Sequence, residues 1–417
     1  MNRRLFSLAV VWLTTRAAML WLLAHDSARL LGRGSVAREV WRLYFNWYET
    51  LSRGAFPAHD KLWQYPPGAG AVLLAPGLLP GLTYFQAFVV LTLAADALIA
   101  LMLARAGTRP GRSLGGAALW VCALPLLLHV PLARYDVQVT AFAVISLLTM
   151  SRSPRVGGVF AALGGLVKVW PALVLLGVPK GRATRSVWTW AAAAGTLVFG
   201  IFAGLFSNPL AFARQQGNRG IQIESLGGTA LSLATHAGWP GRARYRYGAV
   251  ELVGPHVSAV ATASLALTAV AFTLLVLWRV RARRWTEATP YDAALCAVLL
   301  FTVTSRVISP QYMIWLIGLA AVCLTSRHTV QRPVAALVVA ASAVSAVAYP
   351  TLYRDVMGCT WTGCLLMLLR NGLLTTAAVL SLTRLWRSTR PLLTKTRPMT
   401  EPRSSSGRLP HRALSPR

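Results

Sequence analysis

Six stretches of this chain are apolar for close to twenty residues at a time, and that pattern constrains everything else about it. They cover residues 5–23, 82–104, 187–206, 257–277, 334–349 and 362–382. A hydrocarbon core of about 30 Å is crossed by about 20 residues of α-helix. Inside it each backbone polar group must be bonded within its own segment. Repeated runs of this length predict an all-α, polytopic helical membrane protein. Charge content agrees, because only 13% of the residues are charged where a soluble domain carries about 25%. The first run is expected to stay as a helix, since Thr14, Thr15 and Arg16 interrupt its centre and no small-residue cleavage site follows.

The 417 residues hold 42 Lys and Arg against 12 Asp and Glu, a net charge of +30. In a soluble protein that excess would suggest nucleic acid. In a membrane protein it is the bias of cytoplasmic loops, so membrane lipids are the expected partners and nucleic acid is not. The basic clusters at 3–4, 105–112, 152–155, 180–185, 279–284, 327–332 and beyond 385 then orient the chain in the cell membrane, with helices entering and leaving in pairs between them. Two segments resist this scheme. Residues 68–79 are too few for a span and are framed by Pro66, Pro67, Pro76 and Pro80, while 157–178 carry Lys168 and Pro171 in their middle. Both read as re-entrant or interfacial, which broken backbone tolerates only where protein or water satisfies it. The result is about ten full spans, or about ten to twelve transmembrane or re-entrant helices in all. One membrane domain covers 1–385, with external loops at 26–66 and 207–248. A basic cytoplasmic tail at 386–417 lacks apolar periodicity and is expected to be disordered, either touching anionic headgroups or solvated. The five cysteines show no metal-ligand spacing, and the external position of Cys359 and Cys364 permits a disulfide.

Chemistry-bearing residues concentrate on the outer side. In the first external loop Val40, Leu43, Tyr44, Trp47 and Leu51 recur at helical steps, with Gly54 as a stop. Such a helix would lie on the membrane surface and hold Glu39 and Glu49 near water, with Asp60 following and Tyr65 just before the double proline. These are ordinary solvated carboxylates, or one of them is a general base over a lipid-linked substrate. Arg134 and Asp136 stand at a helix entrance, as an ion pair or as part of a ligand site. The stretch around Gln215, Gln216, Asn218, Arg219, Gln222 and Glu224 is rich in amides and guanidinium forks suited to hydroxyls and phosphates, or is a plain hydrophilic loop. Arg306, Gln311 and Tyr312 mark a further external junction. Lys168 and Asp96 lie deeper, where a charge costs about 2.5–3.5 kcal/mol on insertion scales. A basic neighbour is expected for Asp96, and a phosphate or the interface for Lys168. No P-loop, dinucleotide fingerprint, metal-ligand His cluster or serine elbow is present. No cofactor or metal is therefore expected, nor a nucleotide-sugar donor.

Four stretches, "GAFPAHDKLWQYPPGAGAVLLAPGLLP", "GGLVKVWPALVLL", "QQGNRGIQIES" and "VISPQYMIWLIG", resemble the membrane glycosyltransferases of family 87, within the GT-C superfamily. The resemblance runs in consistent order over 5–385 and extends to actinobacterial α-mannosyltransferases. It implies inverting transfer of a hexose, mannose first, from a polyprenyl-phosphate donor to a lipid or cell-envelope glycan acceptor on the extracytoplasmic side. It also implies a carboxylate base in the first external loop. Glu39 stands where the family has an Asp, and Tyr44 comes one residue later than in the family pattern. By the same resemblance Asp60 and Asp136 are the other base candidates. Tyr44, Tyr65, Arg134, Lys168, Gln216, Asn218, Arg219, Arg306, Gln311 and Tyr312 are the substrate-binding candidates. A lipid-linked-sugar flippase would instead show paired broken helices in two similar halves, and the two interrupted segments lack that symmetry. A catalytically silent assembly protein of the same fold is the remaining alternative.

Overall fold

The computed structural model describes residues 3–26, 36–213 and 219–390, and it turns each of the six apolar runs into one long helix. In chain order α1 is Arg3–Ala24, and a π-helical turn at Glu39–Tyr44 runs into α2, Phe45–Ser52. Next come α3 (Ala69–Leu74), α4 (Tyr84–Gly107), α5 (Gly115–Ala123), α6 (Asp136–Met150), α7 (Pro154–Val167) and α8 (Arg182–Leu205). A short β1 (Ile221–Gln222), α9 (Leu226–Thr235) and the strands β2 (Arg242–Arg246) and β3 (Ala249–Val253) follow. The chain closes with α10 (Val257–Arg281), α11 (Thr289–Thr304), α12 (Tyr312–Leu324), α13 (Arg332–Ala346), α14 (Tyr353–Met357) and α15 (Trp361–Ser388).

Two classes of helix divide the work. The six long ones (α1, α4, α8, α10, α13 with its extension to Thr351, and α15) keep much of their surface exposed and apolar. That is the surface lipid requires. The centre belongs to α6, α11 and α12, of 15, 16 and 13 residues, whose side chains are almost all buried. At 1.5 Å per residue they reach only about 20–24 Å, so these expected full spans stop short. Protein rather than lipid surrounds their ends, which satisfies the freed backbone. They stop at the same end of the bundle. Between α5 and α6 the chain makes 3-10 turns at Leu124–Leu127 and Val130–Ala133. Between α11 and α12 it runs through Ser305, Arg306, Ser309 and Gln311. Space is left there.

The two interrupted segments border that space. Helix α7 ends at Val167, Lys168 is extended (φ −151°, ψ 135°), and the chain resumes as a 3-10 helix at Trp170–Gly177. Gly68, at the start of α3, lies against this break. A Cβ there would sit 2.7 Å from the carbonyl carbon of Leu166, so no larger residue lets α3 approach so closely. The double proline thus starts α3 beside the tip that carries Lys168.

The expected external loop at 207–248 contains α9 and part of a three-stranded antiparallel sheet of order β1-β3-β2. Arg242 pairs with Val253 and Arg246 with Ala249 across the hairpin, and Gln222 pairs with Glu251 on the other edge. Tyr247 and Gly248 form its two-residue turn, both at positive φ (50° and 77°), as a type I′ turn demands. Deeper down, the neighbour of Asp96 is Arg16. Its Nε and one terminal nitrogen each lie 2.8 Å from the carboxylate, which Trp12 and Trp120 also donate to. Cys359 and Cys364 are free thiols, so the permitted disulfide is not formed. Helix α15 runs through Ser388, slightly past the expected domain end, and tail residues 391–417 lie outside the described residues.

Candidate active site

Where the core helices stop short there is a cavity of about 320 Å³. Glu39, Tyr65, Lys168, Arg219, Arg306, Gln311 and Tyr312 all line it. Among the described residues Glu39 is the one carboxylate on its wall. Seven of the candidates, distant in sequence, therefore meet at one place.

Glu39 opens the π-helical turn. Arg134, buried in the corner before α6, holds a terminal nitrogen 3.5 Å from its Oε2 and donates to the carbonyls of Ala133 and Val36. Glu39 keeps 28% of its side-chain surface exposed, so it faces the cavity while tethered from behind. The sequence allowed Arg134 and Asp136 to be an ion pair or part of a ligand site, and the structure pairs Arg134 with Glu39 and Asp136 with Lys168 instead of with each other. Residues two apart across a helix start point in different directions, and Asp136 turns inward to Lys168.

That pair forms the deep wall. Lys168 Nζ lies 2.6 Å from Asp136 Oδ1, which also accepts from Trp315 Nε1 at 2.6 Å. Tyr135, Trp315 and Tyr65 surround the ammonium with ring centroids 4.7, 5.1 and 5.6 Å away, a cation–π arrangement. Asp136 is 1% exposed and stands behind Lys168, so it does not reach the cavity. Asp60 does not reach it either, since its carboxylate accepts from Trp47 Nε1 at 2.7 Å and from the Leu62 amide at 2.8 Å. Tyr44 is also behind the wall, its ring packed on Phe88, Tyr135 and Trp47.

The opposite wall comes from the sheet and the loop before α12. The Tyr247 carbonyl accepts from Gln64 Nε2 at 3.2 Å and from an Arg219 terminal nitrogen at 3.4 Å. This fixes the strained turn over the cavity. Arg306 donates to the Arg219 carbonyl at 2.8 Å, and its own carbonyl accepts from the Gln222 amide at 3.0 Å. Arg219 Nε sits 3.8 Å from Glu251 Oε1. Burial pushes the Glu251 carboxyl above its ordinary range, while Arg219, the Gly220 amide, Arg246 and Arg306 pull the other way. The Tyr65 hydroxyl is also pushed up, first by burial and then by Glu39 and Asp136. It is a neutral hydrogen-bonding group at physiological pH. Gln216 and Asn218 lie outside the described residues.

Sequence reasoning missed Gln64, Trp170, Tyr247, Ser309 and Trp315, all on the wall. Trp170, Trp315 and Tyr312 form a continuous ring stack, with centroids 5.2 and 3.9 Å apart. Gln64, Trp170, Ser309 and Trp315 all stand in the quoted stretches, Gln64 directly beside Tyr65-Pro66-Pro67, but only their place in the fold sets them apart, and Tyr247 stands in none of them. Among the described residues no group of three His, Cys, Asp or Glu is placed to hold a metal ion.

One wall therefore offers a tethered carboxylate and the others three cations among aromatic rings. A model of glycosyltransferase family 87 matches residues 63–310, which begins just before Gln64 and ends within the junction that carries Arg306. No curated protein matches the chain.

Proposed function

The chain belongs to glycosyltransferase family 87, and we propose that its cavity moves a hexose, mannose in the first instance, from a polyprenyl-phosphate donor to a lipid or envelope-glycan acceptor, with inversion. The observation that carries this reading is the position of Glu39, the one carboxylate on the cavity wall among the described residues, on the same lining as Lys168, Arg219 and Arg306. In this scheme Glu39 takes the proton of the acceptor hydroxyl as its oxygen attacks the anomeric carbon. The bond from that carbon to the phosphate oxygen breaks, and the electron pair leaves on the phosphate. Arg306 and Arg219 meet the growing negative charge, and Lys168 adds to them from the deep wall. Arg134 keeps Glu39 in place, and placement counts for much in a transfer between two bound substrates.

Orientation supports an outward-facing site. The cavity lies at the end of the bundle away from the basic clusters at 105–112, 152–155, 180–185, 279–284 and 327–332, which the positive-inside rule assigns to the cytoplasm. The test is transfer of radiolabel from polyprenyl-phosphate mannose into total lipid extract, using membranes that contain the parent or Glu39→Gln. The variant is expected to lose about 10²–10⁴-fold in rate, the usual share of a general base. Equal transfer by both would remove Glu39 from the mechanism, and transfer by neither would remove mannose as the sugar or the enzyme reading itself.

A further inference from the structure

The segment that carries Glu39 is held at its root by a second carboxylate. Asp26, just past the outer end of α1, accepts from the Val36 amide at 3.2 Å through Oδ1 and from the Ala37 amide at 2.9 Å through Oδ2. The Ala37 carbonyl in turn accepts from the Val40 and Trp41 amides at 3.0 and 3.3 Å, so Ala37 starts the turn on which Glu39 stands. The Val36 carbonyl, on the opposite side of the same peptide group, accepts from Arg134 at 3.3 Å. That peptide is therefore gripped at both ends, its N–H by Asp26 and its C=O by the arginine that pairs with Glu39.

Asp26 is itself held by His129, whose Nε2 lies 2.8 Å from Oδ1 with both side chains buried. An ionised carboxylate only accepts, so that ring nitrogen carries a proton. His129 Nδ1 is buried with no hydrogen-bond partner among the described residues. A ring buried with one nitrogen unsatisfied costs stability, and its one polar contact there is Asp26. The backbone is also forced at this point. Leu128, immediately before the histidine, sits at φ 57° and ψ −131°, a region that L-residues rarely enter. Such strain persists only where the surroundings over-determine it, and it clusters at functional sites. His129 and Arg134 flank one 3-10 turn, Val130–Ala133, so a single corner reaches the Glu39 segment from both of its ends.

We propose that Asp26 and His129 are positioning residues for Glu39. His129 fixes the Asp26 carboxylate, Asp26 fixes the amides at the start of the turn, and Arg134 completes the hold from the carbonyl side. Neither Asp26 nor His129 is on the cavity wall, so both act through Glu39 and touch no substrate. The inference rests on the reading of Glu39 as the base and deepens it, because a misplacement of about 1 Å in a transfer site can cost on the order of 10²-fold.

The full chain in neutral detergent would be compared as His129→Leu, His129→Gln and Asp26→Asn, each alone and together with Glu39→Gln. Two quantities are read, transfer from polyprenyl-phosphate mannose and hydrogen exchange of the amides at 36–41. We expect His129→Leu to lose about 10²-fold in transfer and to exchange at 36–41 about tenfold faster, with exchange in α12 unchanged. His129→Gln, whose amide can donate to Asp26 again, should stay within about threefold of the parent on both. In the Glu39→Gln chain the base is already gone, so His129→Leu should cost little more, since residues that act as a unit are not additive. An equal fold-loss with and without Glu39 would make the histidine merely structural and overturn the proposal, as would unchanged exchange at 36–41. Asp26→Asn, which turns one acceptor into a donor, should follow His129→Leu and takes its place if the leucine variant does not fold. If the parent shows no transfer, or Glu39→Gln transfers equally, the base reading falls, and the exchange rates alone decide whether the pair holds the segment.

Discussion

Tyr247 occupies a conformation that a tyrosine pays for, since an L-residue in the left-handed region costs roughly 1–2 kcal/mol. It is held at φ 50° beside Gly248 at 77°, while Gln64 and Arg219 bind its carbonyl and the residue lines the cavity. Tyr247→Asn would create the Asn-Gly pair that type I′ turns prefer. Thermal unfolding should show a gain of about 1 kcal/mol, and the apparent KM for donor or acceptor should rise several-fold as a wall ring is lost. A stabilised variant with unchanged KM would mean that the strain serves the turn alone. Glu251 gives a second test at this scale. Burial raises its carboxyl against the pull of Arg219, Gly220, Arg246 and Arg306, so protonation begins nearer neutrality than for an ordinary Glu. Each proton taken up releases Arg219 and makes the cavity wall more cationic. A polyprenyl-phosphate sugar, a diester that does not titrate there, should bind more tightly as pH falls from 7 towards the window just above the ordinary carboxylate range, about 4.3. Glu251→Gln should bind well throughout and lose the slope. The same sign applies to folding, because a raised carboxyl makes the ionised form costly and stability rises as pH falls through that window. A parent slope that persists in Glu251→Gln would assign the titration to another group.

The turn at Glu39–Tyr44 is wound with i→i+5 bonds, the Phe45 amide donating to the Val40 carbonyl, at the place where the sequence resemblance leads us to expect Tyr44 one residue earlier. A π-turn absorbs one extra residue without changing which face the flanking side chains occupy. Glu39 therefore still faces the cavity while Tyr44 still packs on Phe88. Deleting the exposed Arg42 should let the turn rewind as ordinary α-helix, with glycosyl transfer retained within about tenfold and helix stability equal or higher. An inactive but folded deletion would show that the π geometry itself sets the carboxylate. Much of this region was legible beforehand. The spacing of Val40, Leu43, Tyr44, Trp47 and Leu51 marked the helix and Gly54 its end, while Pro66 and Pro67 marked the start of the next, because periodicity, glycine and proline act locally. The i+5 winding was not, since no side-chain pattern encodes it. Strand β2 was hidden for a related reason: four of its five residues are exposed, so the alternation that marks a half-buried strand is absent. Trp170 and Trp315 were lost inside apolar runs, where a ring facing a cavity and a ring facing lipid look alike.

At the scale of the molecule, the hydrophobic runs disclosed the number and order of the long helices, but not how the outer elements are fixed upon them. That tie is a buried pair distant in sequence. Arg370, in the middle of α15 and 0% exposed, places one terminal nitrogen 2.7 Å from Glu224 Oε2, while the other donates to the Glu224 carbonyl. Asn371 donates to that same carbonyl at 3.1 Å and to Thr229 Oγ1 at 2.8 Å. Glu224 leads into α9, two residues beyond Gln222, whose backbone joins Arg306 to the sheet. One transmembrane helix therefore positions the segment that carries Arg219, and the Gln222 amide and the Arg219 carbonyl tie that segment to Arg306 on the loop before α12. Arg370→Met should leave the Glu224 carboxylate unpaired and destabilise the fold by about 3–5 kcal/mol, the range for removing one partner of a buried ion pair. Glu224→Gln in the same chain should restore part of that loss, because the uncompensated charge goes while the amide still packs. Stability and site geometry then separate in one measurement. If the double variant regains its unfolding midpoint but binds farnesyl phosphate weakly, the pair acts by holding Arg219 and Arg306 in register. If it regains both, the pair is a fastening for the fold, and the site takes its shape from the bonds between Arg306, Arg219 and Gln222 alone.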